Sequence, residues 1–495
     1  MAIEAGSARA QRVARMLRGM LAAAAAALLA AGSLRAHGQE ALLPAAVAQA
    51  LAQAGIPESA ASFYVHEVGA ERPLLAAGAA HPMNPASAIK LLTTYAALEL
   101  LGPAFQWTTE AYVTGALSGG VLEGDLVLKG RGDPKLTLEN FWLLLRGLRG
   151  RGLREIRGDL VLDRSYFAAT DHDPARFDEQ PTRPYNTGPD ALLVNYKAVR
   201  LFFVPDGDAR RVRILAEPAL PQVEIVNRLK LTGGPCGDWI NRLKVEAQGG
   251  AAATRLAFSG RYAASCGERE RSYSVLPHAQ YLLGLFRELW RELGGTFSGT
   301  VRDGTVSADA RPFHAVDSPP LAQVVRDMNK FSNNVMARQL YLTLGAEGAG
   351  EPATLEKADR VIREWLSGKG LVFPELRLEN GSGLSRLERI SAAHLGQLLL
   401  VSFRSPVMPE LIASLPLAAM DGTMKKRLAE TDVAGQAHIK TGLLTGVRSI
   451  AGYLLDAQGR RLVVVSMVNH PNAAEAQAAQ DALLNWLYNR GGASR

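Results

Sequence analysis

The chain has 495 residues, of which 47% are hydrophobic and 21% are charged, and this balance excludes a disordered or fibrous protein. At this length we expect roughly two to four domains, each able to bury a core. The formal net charge of +7 at pH 7 would suit a polyanionic partner, but the first predicted segment accounts for much of it.

The N-terminal segment has the layout of a secretory signal peptide. Four arginines precede an apolar, alanine-rich run at residues 20–31, and small residues up to Ala36 follow. The run is too short to span a membrane comfortably, so we predict a signal peptide at residues 1–36 that is cleaved on export to the periplasm; an uncleaved, tethered form is the alternative. Without it, 50 of 55 basic and 47 of 48 acidic residues remain, a net charge of +3. This value argues against a nucleic-acid partner, and we expect at most peripheral contact with a membrane.

The first elements of the folded part surround a serine and a lysine. Residues 61–78, ASFYVHEVGAERPLLAAG, predict two strands around a polar turn. In the following stretch, NPASAIKLLTTYAALELLG, apolar residues keep a helical period from Leu91 onward until a Gly-Pro pair ends the helix. Ser87 and Lys90 share one face of this helix because they are three residues apart. They are either a helix cap with a snorkelling lysine or a nucleophile beside its base.

The middle of the chain is rich in predicted strands. The pentapeptide Gly-Asp-Leu-Val-Leu occurs at residues 124–128 and again at 158–162, and we interpret the two copies as paired strands of one sheet. Short strand-like runs continue from about residue 190 to 280 and include the only two cysteines, Cys236 and Cys266. In an exported chain such a pair predicts one disulfide, with two buried thiols as the alternative. No histidine cluster lies near them, which argues against a metal site.

The C-terminal part returns to a mixture of helices and strands. Helical patterns cover residues 279–293 and 321–344, and AHIKTGLL, a hairpin and a terminal helix follow. Both ends of the chain therefore predict an α+β fold, an antiparallel sheet with helices packed on it. The strand-rich middle is then an insertion into one outer domain.

Three short motifs occur once each, in this order: Ser87-x-x-Lys90, Ser332-Asn333-Asn334 and Lys440-Thr441-Gly442. One such match alone is weak, but three unique matches together are specific. Their contexts agree as well, since they lie at a helix start, at a loop that enters a helix, and in a strand near the C-terminus.

The motif set resembles the serine penicillin-recognising enzymes, and most of all the class C low-molecular-mass penicillin-binding proteins of the penicillin-binding protein 4 type. GDLVLKGRGDPKLT, ENGSGLSR and DGTMKKRL extend the resemblance over most of the chain. It implies a split transpeptidase/β-lactamase-like domain with a strand-rich two-domain insertion. We place the catalytic domain at residues 37–103 and 283–495, the second domain at 104–189, and a small β-rich third domain at 190–282.

The residue types of the motifs indicate acyl-enzyme chemistry. A free lysine is a poor base at neutral pH, but burial and a nearby cation, here Lys440, would lower the pKa of Lys90 enough to accept the Ser87 proton. Ser332 could relay a proton to the leaving amine, and Asn334 could orient Lys90 and the substrate amide.

The resemblance also implies a set of substrate contacts. The oxyanion hole of the family corresponds to the backbone N–H groups of Ser87 and Leu443. Lys440 and Thr441 would hold the terminal carboxylate of a D-Ala-D-Ala substrate, while Gly442 lets the substrate backbone approach the strand.

These observations predict a periplasmic serine D-alanyl-D-alanine carboxypeptidase/endopeptidase that acts on peptidoglycan stem peptides and is inhibited by β-lactams. We expect no metal or other cofactor, and a homodimer is possible. The alternatives are a β-lactamase, although the deacylating glutamate signal is missing after Asn334, and a non-catalytic penicillin-binding sensor or scaffold. The Asn380-Gly381-Ser382-Gly383 stretch is interpreted as a structural turn.

Overall fold

The structure, a computed structural model, describes residues 42–169, 171–250, 252–307 and 309–490. The predicted signal peptide at residues 1–36 lies outside the described residues. Among the described residues, no helix combines the length and the apolar character needed to cross a membrane.

The two ends of the chain build one antiparallel sheet of five strands. Its order is β2–β1–β22–β21–β20, and the strand from the N-terminal part, β1, pairs along its whole length with β22. The strands are β1 (Ala61–Glu67), β2 (Leu75–Ala77), β20 (Ala437–Leu444), β21 (Val447–Leu455) and β22 (Arg461–Asn469). Nearly every residue of β22 is buried, as expected for a strand covered by helices on both faces.

Helices cover this sheet and enclose the core behind it. Helix α1 (Ala45–Gln53) packs on α10 (Gln477–Asn489), and α8 (Ala392–Phe403) packs on β1 and β22. Five other helices outside the insertion share one core cluster with α8: α2 (Lys90–Leu100), α5 (Leu321–Phe331), α6 (Asn334–Ala349), α7 (Leu355–Gly368) and α9 (Met408–Ser414). The α+β class predicted from the sequence is confirmed, and α2 lies inside the enclosed layer.

The first inserted region contains two mixed sheets and two helices. The five-stranded sheet has the order β17–β9–β7–β4–β18, and the four-stranded sheet the order β16–β8–β6–β5. Its elements are β4 (Thr108–Val113), β5 (Ala116–Ser118), β6 (Val121–Glu123), β7 (Leu126–Lys129), α3 (Leu138–Gly150), β8 (Glu155–Ile156), β9 (Leu160–Asp163), α4 (His278–Glu292), β16 (Thr296–Phe297), β17 (Val301–Asp303) and β18 (His314–Asp317). The two Gly-Asp-Leu-Val-Leu copies pair as parallel β7 and β9, with Leu126 opposite Leu160, as predicted.

The chain leaves this region later than the predicted boundary at residue 283. Strands β16, β17 and β18 all follow residue 283, yet they pair with β8, β9 and β4. A boundary at residue 283 would therefore divide two sheets. These strands were not predicted, because a strand of two to four residues leaves too short a pattern to recognise in the sequence.

The second inserted region is all-β. It has two three-stranded sheets, of order β11–β10–β15 and β12–β14–β13. The strands are β10 (Val199–Asp206), β11 (Arg211–Glu217), β12 (Val223–Thr232), β13 (Leu243–Gly249), β14 (Thr254–Ala263) and β15 (Arg269–Tyr273). Cys236 and Cys266 form the predicted disulfide in this region. Two short strands near the sheet of the chain ends, β3 (Pro82–Met83) and β19 (Ile390–Ser391), complete the structure.

Candidate active site

Ser87 lies on a one-turn 3₁₀ helix, Ala86–Ile89, that leads directly into α2. Ala86 has a φ of 44°, a left-handed conformation that is strained for a residue other than glycine. The Asn84 side chain holds the turn, since its Oδ1 accepts the Ala86 N–H at 2.8 Å. The first bond of the turn runs from Ala88 N–H to Pro85 O at 3.1 Å. The Ser87 N–H therefore has no acceptor within the turn.

Lys90 is fully buried at the start of α2 and points at the nucleophile position. Its Nζ lies 2.9 Å from Ser87 Oγ and 2.6 Å from Asn334 Oδ1, and it also contacts the Ser382 carbonyl. Burial lowers the pKa of Lys90 well below its usual value, and the neighbouring Lys440 lowers it further. A buried lysine of lowered pKa is a better acceptor for the proton of a hydroxyl than a solvated lysine.

Ser332 and Asn334 lie where α5 ends and α6 begins. Ser332 is the C-cap of α5, with a left-handed φ of 56°, and Asn333 is the N-cap of α6, its side chain accepting the Met336 N–H at 3.0 Å. The sharp turn at Ser332 directs Asn334 Oδ1 towards Lys90, while Ser332 Oγ accepts a hydrogen bond from Lys440 Nζ at 2.8 Å.

The Lys440-Thr441-Gly442 motif lies on β20, an edge strand of the sheet. Lys440 is fully buried, and burial lowers its pKa to about 7. Thr441 Oγ1 donates to Thr423 Oγ1 at 2.7 Å. A Cβ on Gly442 would lie 2.9 Å from Ser87 N and 2.3 Å from Ser449 Oγ, so only glycine allows the strand to approach the nucleophile turn so closely.

These residues line one cleft of about 470 Å³. Ser87, Ser332 and Asn334 face Thr441, Gly442 and Leu443 across it, with Lys90 and Lys440 buried beneath their partners. Leu443 is 60% exposed at the rim. The structure thus brings together every predicted site residue, and Cys236 and Cys266 lie apart from them in the all-β region. Among the described residues, no group of three His, Cys, Asp or Glu side chains could hold a metal ion.

The turn at residues 380–383 has a role in the site that its sequence did not predict. Its Ser382 carbonyl contacts Lys90 Nζ, and a Cβ on Gly383 would lie 2.2 Å from the Ala86 carbonyl oxygen. The turn therefore packs directly against Ser87 and Lys90. Its two glycines adopt positive φ values of 68° and 81°, and the Gly-Ser-Gly pattern was the only local signal of such a close approach.

Glu388 was also missed, because a glutamate between Leu387 and Arg389 has the pattern of an exposed loop. It is fully buried, and its Oε1 accepts the backbone N–H groups of Glu379, Asn380 and Gly381 at 3.1–3.3 Å. This carboxylate orders the turn that contacts Lys90. Burial raises the pKa of Glu388 itself, and the ionised form of Glu388 raises the pKa of Lys90 and so opposes the effect of Lys440.

Comparison with known proteins places this site in context. Residues 43–490 match the D-Ala-D-Ala carboxypeptidase 3 (S13) family. The chain is 25% identical over 382 residues to D-alanyl-D-alanine carboxypeptidase DacB of Haemophilus influenzae, covering 77% of this chain and 79% of that protein. It is 29% identical over 409 residues to the D-alanyl-D-alanine carboxypeptidase of Actinomadura sp., covering 80% of this chain and 74% of that protein.

Solved structures share the fold. The crystal structure of penicillin binding protein 4 from Haemophilus influenzae aligns with a TM-score of 0.75 at 24% identity, covering 89% of this chain and 99% of that one. The predatory peptidoglycan endopeptidase Bd3459 of Bdellovibrio bacteriovorus aligns with a TM-score of 0.51 at 16% identity, covering 88% and 93% of the two chains.

Proposed function

Because the chain belongs to the D-Ala-D-Ala carboxypeptidase 3 (S13) family, we propose that it hydrolyses D-alanyl peptide bonds of peptidoglycan stem peptides through an acyl-enzyme on Ser87. The observation that carries the proposal is the position of Lys90 Nζ, 2.9 Å from Ser87 Oγ and 2.6 Å from Asn334 Oδ1. A buried amine of lowered pKa in contact with one serine hydroxyl is an activated nucleophile pair.

Acylation begins when Ser87 Oγ transfers its proton to Lys90 Nζ and attacks the carbonyl carbon of the penultimate D-alanine. The backbone N–H groups of Ser87 and Leu443 stabilise the negative charge on the carbonyl oxygen. The C–N bond then breaks, and the leaving amine takes up, through Ser332 Oγ, the proton that Lys90 accepted, so that Lys90 is neutral again. The 2.8 Å contact between Lys440 Nζ and Ser332 Oγ supports this relay.

Deacylation reverses the proton movement. Lys90, neutral again, accepts a proton from a water molecule that attacks the ester carbonyl, and the C–O bond to Ser87 breaks. The proton returns to Ser87 Oγ, and the shortened peptide leaves with a new carboxylate. In a β-lactam the leaving amine stays attached to the acyl group, so the drug acylates Ser87 while its own leaving group obstructs the site.

A second cleft of about 640 Å³ adjoins the first and supports a subsite for the stem-peptide side chain. Phe177, Asp178 and Tyr185 of the insertion face Ser332 and Arg386 there. The Arg386 guanidinium lies 4.7 Å from the Phe177 ring centroid, and Asp178 adds a carboxylate. A guanidinium and a carboxylate in one cleft suit a diamino acid side chain that ends in a carboxylate and an ammonium group.

Export and partners follow from the same proposal. The signal peptide predicted at residues 1–36 supports a periplasmic location, where stem peptides are accessible. A β-lactamase would use the same acyl-enzyme and would differ in the rate of deacylation, while a sensor would acylate without turnover. The match of residues 43–490 to the D-Ala-D-Ala carboxypeptidase 3 (S13) family favours a peptidase over both.

Covalent labelling tests the assignment of the nucleophile. We expect a fluorescent penicillin to label the wild-type protein, and Ser87→Ala to abolish the label and to lower turnover of a D-Ala-D-Ala peptide on the order of 10⁴–10⁶-fold. Ser118→Ala, on an exposed hairpin of the insertion, is the matched control and should label normally. Label that persists in Ser87→Ala would overturn the assignment, and digestion of cross-linked muropeptides with mass analysis would identify the bonds cleaved.

A further inference from the structure

Thr423 lies in the cleft beside the Lys440-Thr441-Gly442 motif and has no part in the mechanism above. It lines the cleft together with Ser332 and Thr441. Thr423 is exposed, whereas Thr441 is half-buried. The two threonine hydroxyls are 2.7 Å apart, and Thr441 Oγ1 donates to Thr423 Oγ1.

This pair of threonines leaves one hydroxyl proton free for a ligand. Each hydroxyl carries a single proton and two acceptor positions. One proton lies between the two oxygens, and the proton of Thr423 has no acceptor in the described part of the chain. A hydroxyl proton that faces an open cleft can donate to a carboxylate, which has two acceptor oxygens and no proton of its own.

A buried lysine fixes the turn that carries Thr423. The turn is a 3₁₀ turn at Gly422–Met424, and it directly follows Asp421. Asp421 Oδ2 accepts from Lys330 Nζ at 2.6 Å, and its Oδ1 accepts the Leu417 N–H at 2.8 Å. Lys330 is buried, and a buried ammonium group requires such a partner because an unpaired charge in the interior is costly.

Gly422 allows the turn to pack directly on the end of α5. Its φ is 54°, and a Cβ at this position would lie 2.5 Å from the Lys330 carbonyl oxygen, so only glycine fits. Lys330 lies in the last turn of α5, two residues before Ser332. The same helix end therefore holds both Ser332 and the turn of Thr423.

Two links join this helix end to the edge strand β20. In the first, Lys440 Nζ donates to Ser332 Oγ at 2.8 Å. The second starts at the ion pair of Lys330 and ends at the hydrogen bond between Thr423 and Thr441. The first link contains groups that the proposed function uses for proton transfer, whereas the second contains none. A change in the second link should therefore alter binding of the substrate more than the chemical step.

We propose that the Thr423 hydroxyl donates a hydrogen bond to the terminal carboxylate of the substrate, beside Thr441. The ion pair of Lys330 and Asp421 positions this hydroxyl and does not touch the substrate. The inference rests on the proposed function and names a further residue that distinguishes a peptide acid from its amide, since a hydrogen bond to a charged acceptor is stronger than one to a neutral acceptor. It adds no covalent step.

Thr423→Val tests the contact, because valine has nearly the shape of threonine and lacks the hydroxyl. We expect KM for a peptide that ends in D-Ala-D-Ala to rise about three- to tenfold while kcat stays within about twofold of wild type. The rise is limited because the Thr441 hydroxyl is then free to donate. For the amidated peptide, KM should change by less than about twofold. Thr423→Ser restores the hydroxyl and should restore KM for the acid.

Removing both charges of the ion pair tests its positioning role. Lys330→Met combined with Asp421→Asn leaves no unpaired charge in the interior, and we expect it to raise KM for the acid more than for the amide. Adding Thr423→Val should raise KM for the acid no further, because both changes act through one hydroxyl. A purely structural role would instead lower kcat for the acid and the amide alike.

Thr431→Val is the matched control. Thr431 donates to the Leu428 carbonyl at 3.0 Å and does not line the cleft, so we expect both KM values to stay within about twofold of wild type. Penicillin labelling of each variant checks that the nucleophile is intact. If the ion-pair variant fails to fold, Thr423→Val and Thr423→Ser carry the test.

An unchanged KM for the acid in Thr423→Val, or equal losses on acid and amide, would overturn the inference while the proposed function stands. An effect of the same size in Thr431→Val would do so as well. A wild-type protein that hydrolyses neither peptide and does not react with penicillin would instead overturn the proposed function.

Discussion

Two buried lysines, Lys90 and Lys440, and one buried glutamate, Glu388, set the proton chemistry of the site. Lys90 and Lys440 lie beneath the cleft and repel each other, while Glu388 attracts Lys90. The neutral form of Lys90 is the base in the proposed mechanism. Activity should therefore rise with pH through the pKa of Lys90. The acidic limb of the pH–rate profile should move to higher pH on the loss of Lys440 and to lower pH on the loss of Glu388.

Replacing Lys440 tests its two proposed roles. Lys440→Ala removes a cation that lowers the pKa of Lys90, so that pKa rises and the acidic limb of the pH–rate profile moves to higher pH. It also removes a charge-assisted contact with the substrate carboxylate worth roughly 1.5–3 kcal/mol. We expect kcat/KM for a D-Ala-D-Ala peptide to fall at least about tenfold on that basis.

The two roles of Lys440 separate on an amidated substrate that lacks the terminal carboxylate. Anchoring affects KM for the acid more than for the amide, whereas loss of base tuning lowers kcat for both. Wild-type kinetics on both substrates would show that the Lys-Thr-Gly motif has no part in this reaction.

Replacing Glu388 should move the profile the other way. Glu388→Gln keeps an acceptor for the three backbone N–H groups but removes a negative charge that raises the pKa of Lys90. The pKa of Lys90 then falls, and the acidic limb of kcat/KM moves to lower pH. Glu375→Gln is the control, because Glu375 lies outside the cleft and binds His394. The pH–rate profiles of the two variants are compared. If the acidic limb does not move in Glu388→Gln, the role of Glu388 is limited to holding the turn.

At the scale of elements, the proposed binding of the substrate depends on the edge strand β20. It is the last strand of the sheet, so one row of its backbone groups faces the cleft. A peptide can add to such an edge as a further strand. Gly442 brings this edge to the nucleophile turn, and the scissile bond of a peptide aligned on β20 would lie next to Ser87.

The disulfide belongs to a different element and should affect stability more than catalysis. It joins Cys236 and Cys266 across 30 residues of the all-β region, and its loss should lower the free energy of unfolding by roughly 2–4 kcal/mol. A Cys236→Ser, Cys266→Ser double variant measures this change by denaturant unfolding. Thiol titration of the unfolded, unreduced protein should find no free thiol. Two free thiols, or a loss of activity as large as that of Lys440→Ala, would contradict this prediction.

At the scale of the whole molecule, the site is assembled from parts of the chain that are far apart. Lys90 and Asn334 are 244 positions apart in sequence and Ser332 and Lys440 are 108 apart. The insertion separates the first two motifs, yet its Phe177, Asp178 and Tyr185 return to line the cleft beside Ser332. The insertion thus forms a wall of the proposed substrate site.

Residue types and short-range patterns were sufficient to predict much of this protein. The three motifs predicted the family, which the comparisons confirm. The α+β class, the pairing of the two Gly-Asp-Leu-Val-Leu strands and the single disulfide followed from periodicity, repetition and the number of cysteines. Each of these features is encoded by a local pattern or, for the disulfide, by two cysteines that can pair in only one way.

Other features depend on which distant segments meet, and only the tertiary structure decided them. Glu388 accepts hydrogen bonds from the turn at residues 380–383, and this turn packs against Ala86, a contact that no local pattern records. The left-handed backbone of Ser332 ends α5 and directs Asn334 towards Lys90. The common face of side chains that share a period within one segment can be predicted from the sequence. The positions of charges that come together from several segments depend on the packing of the whole chain.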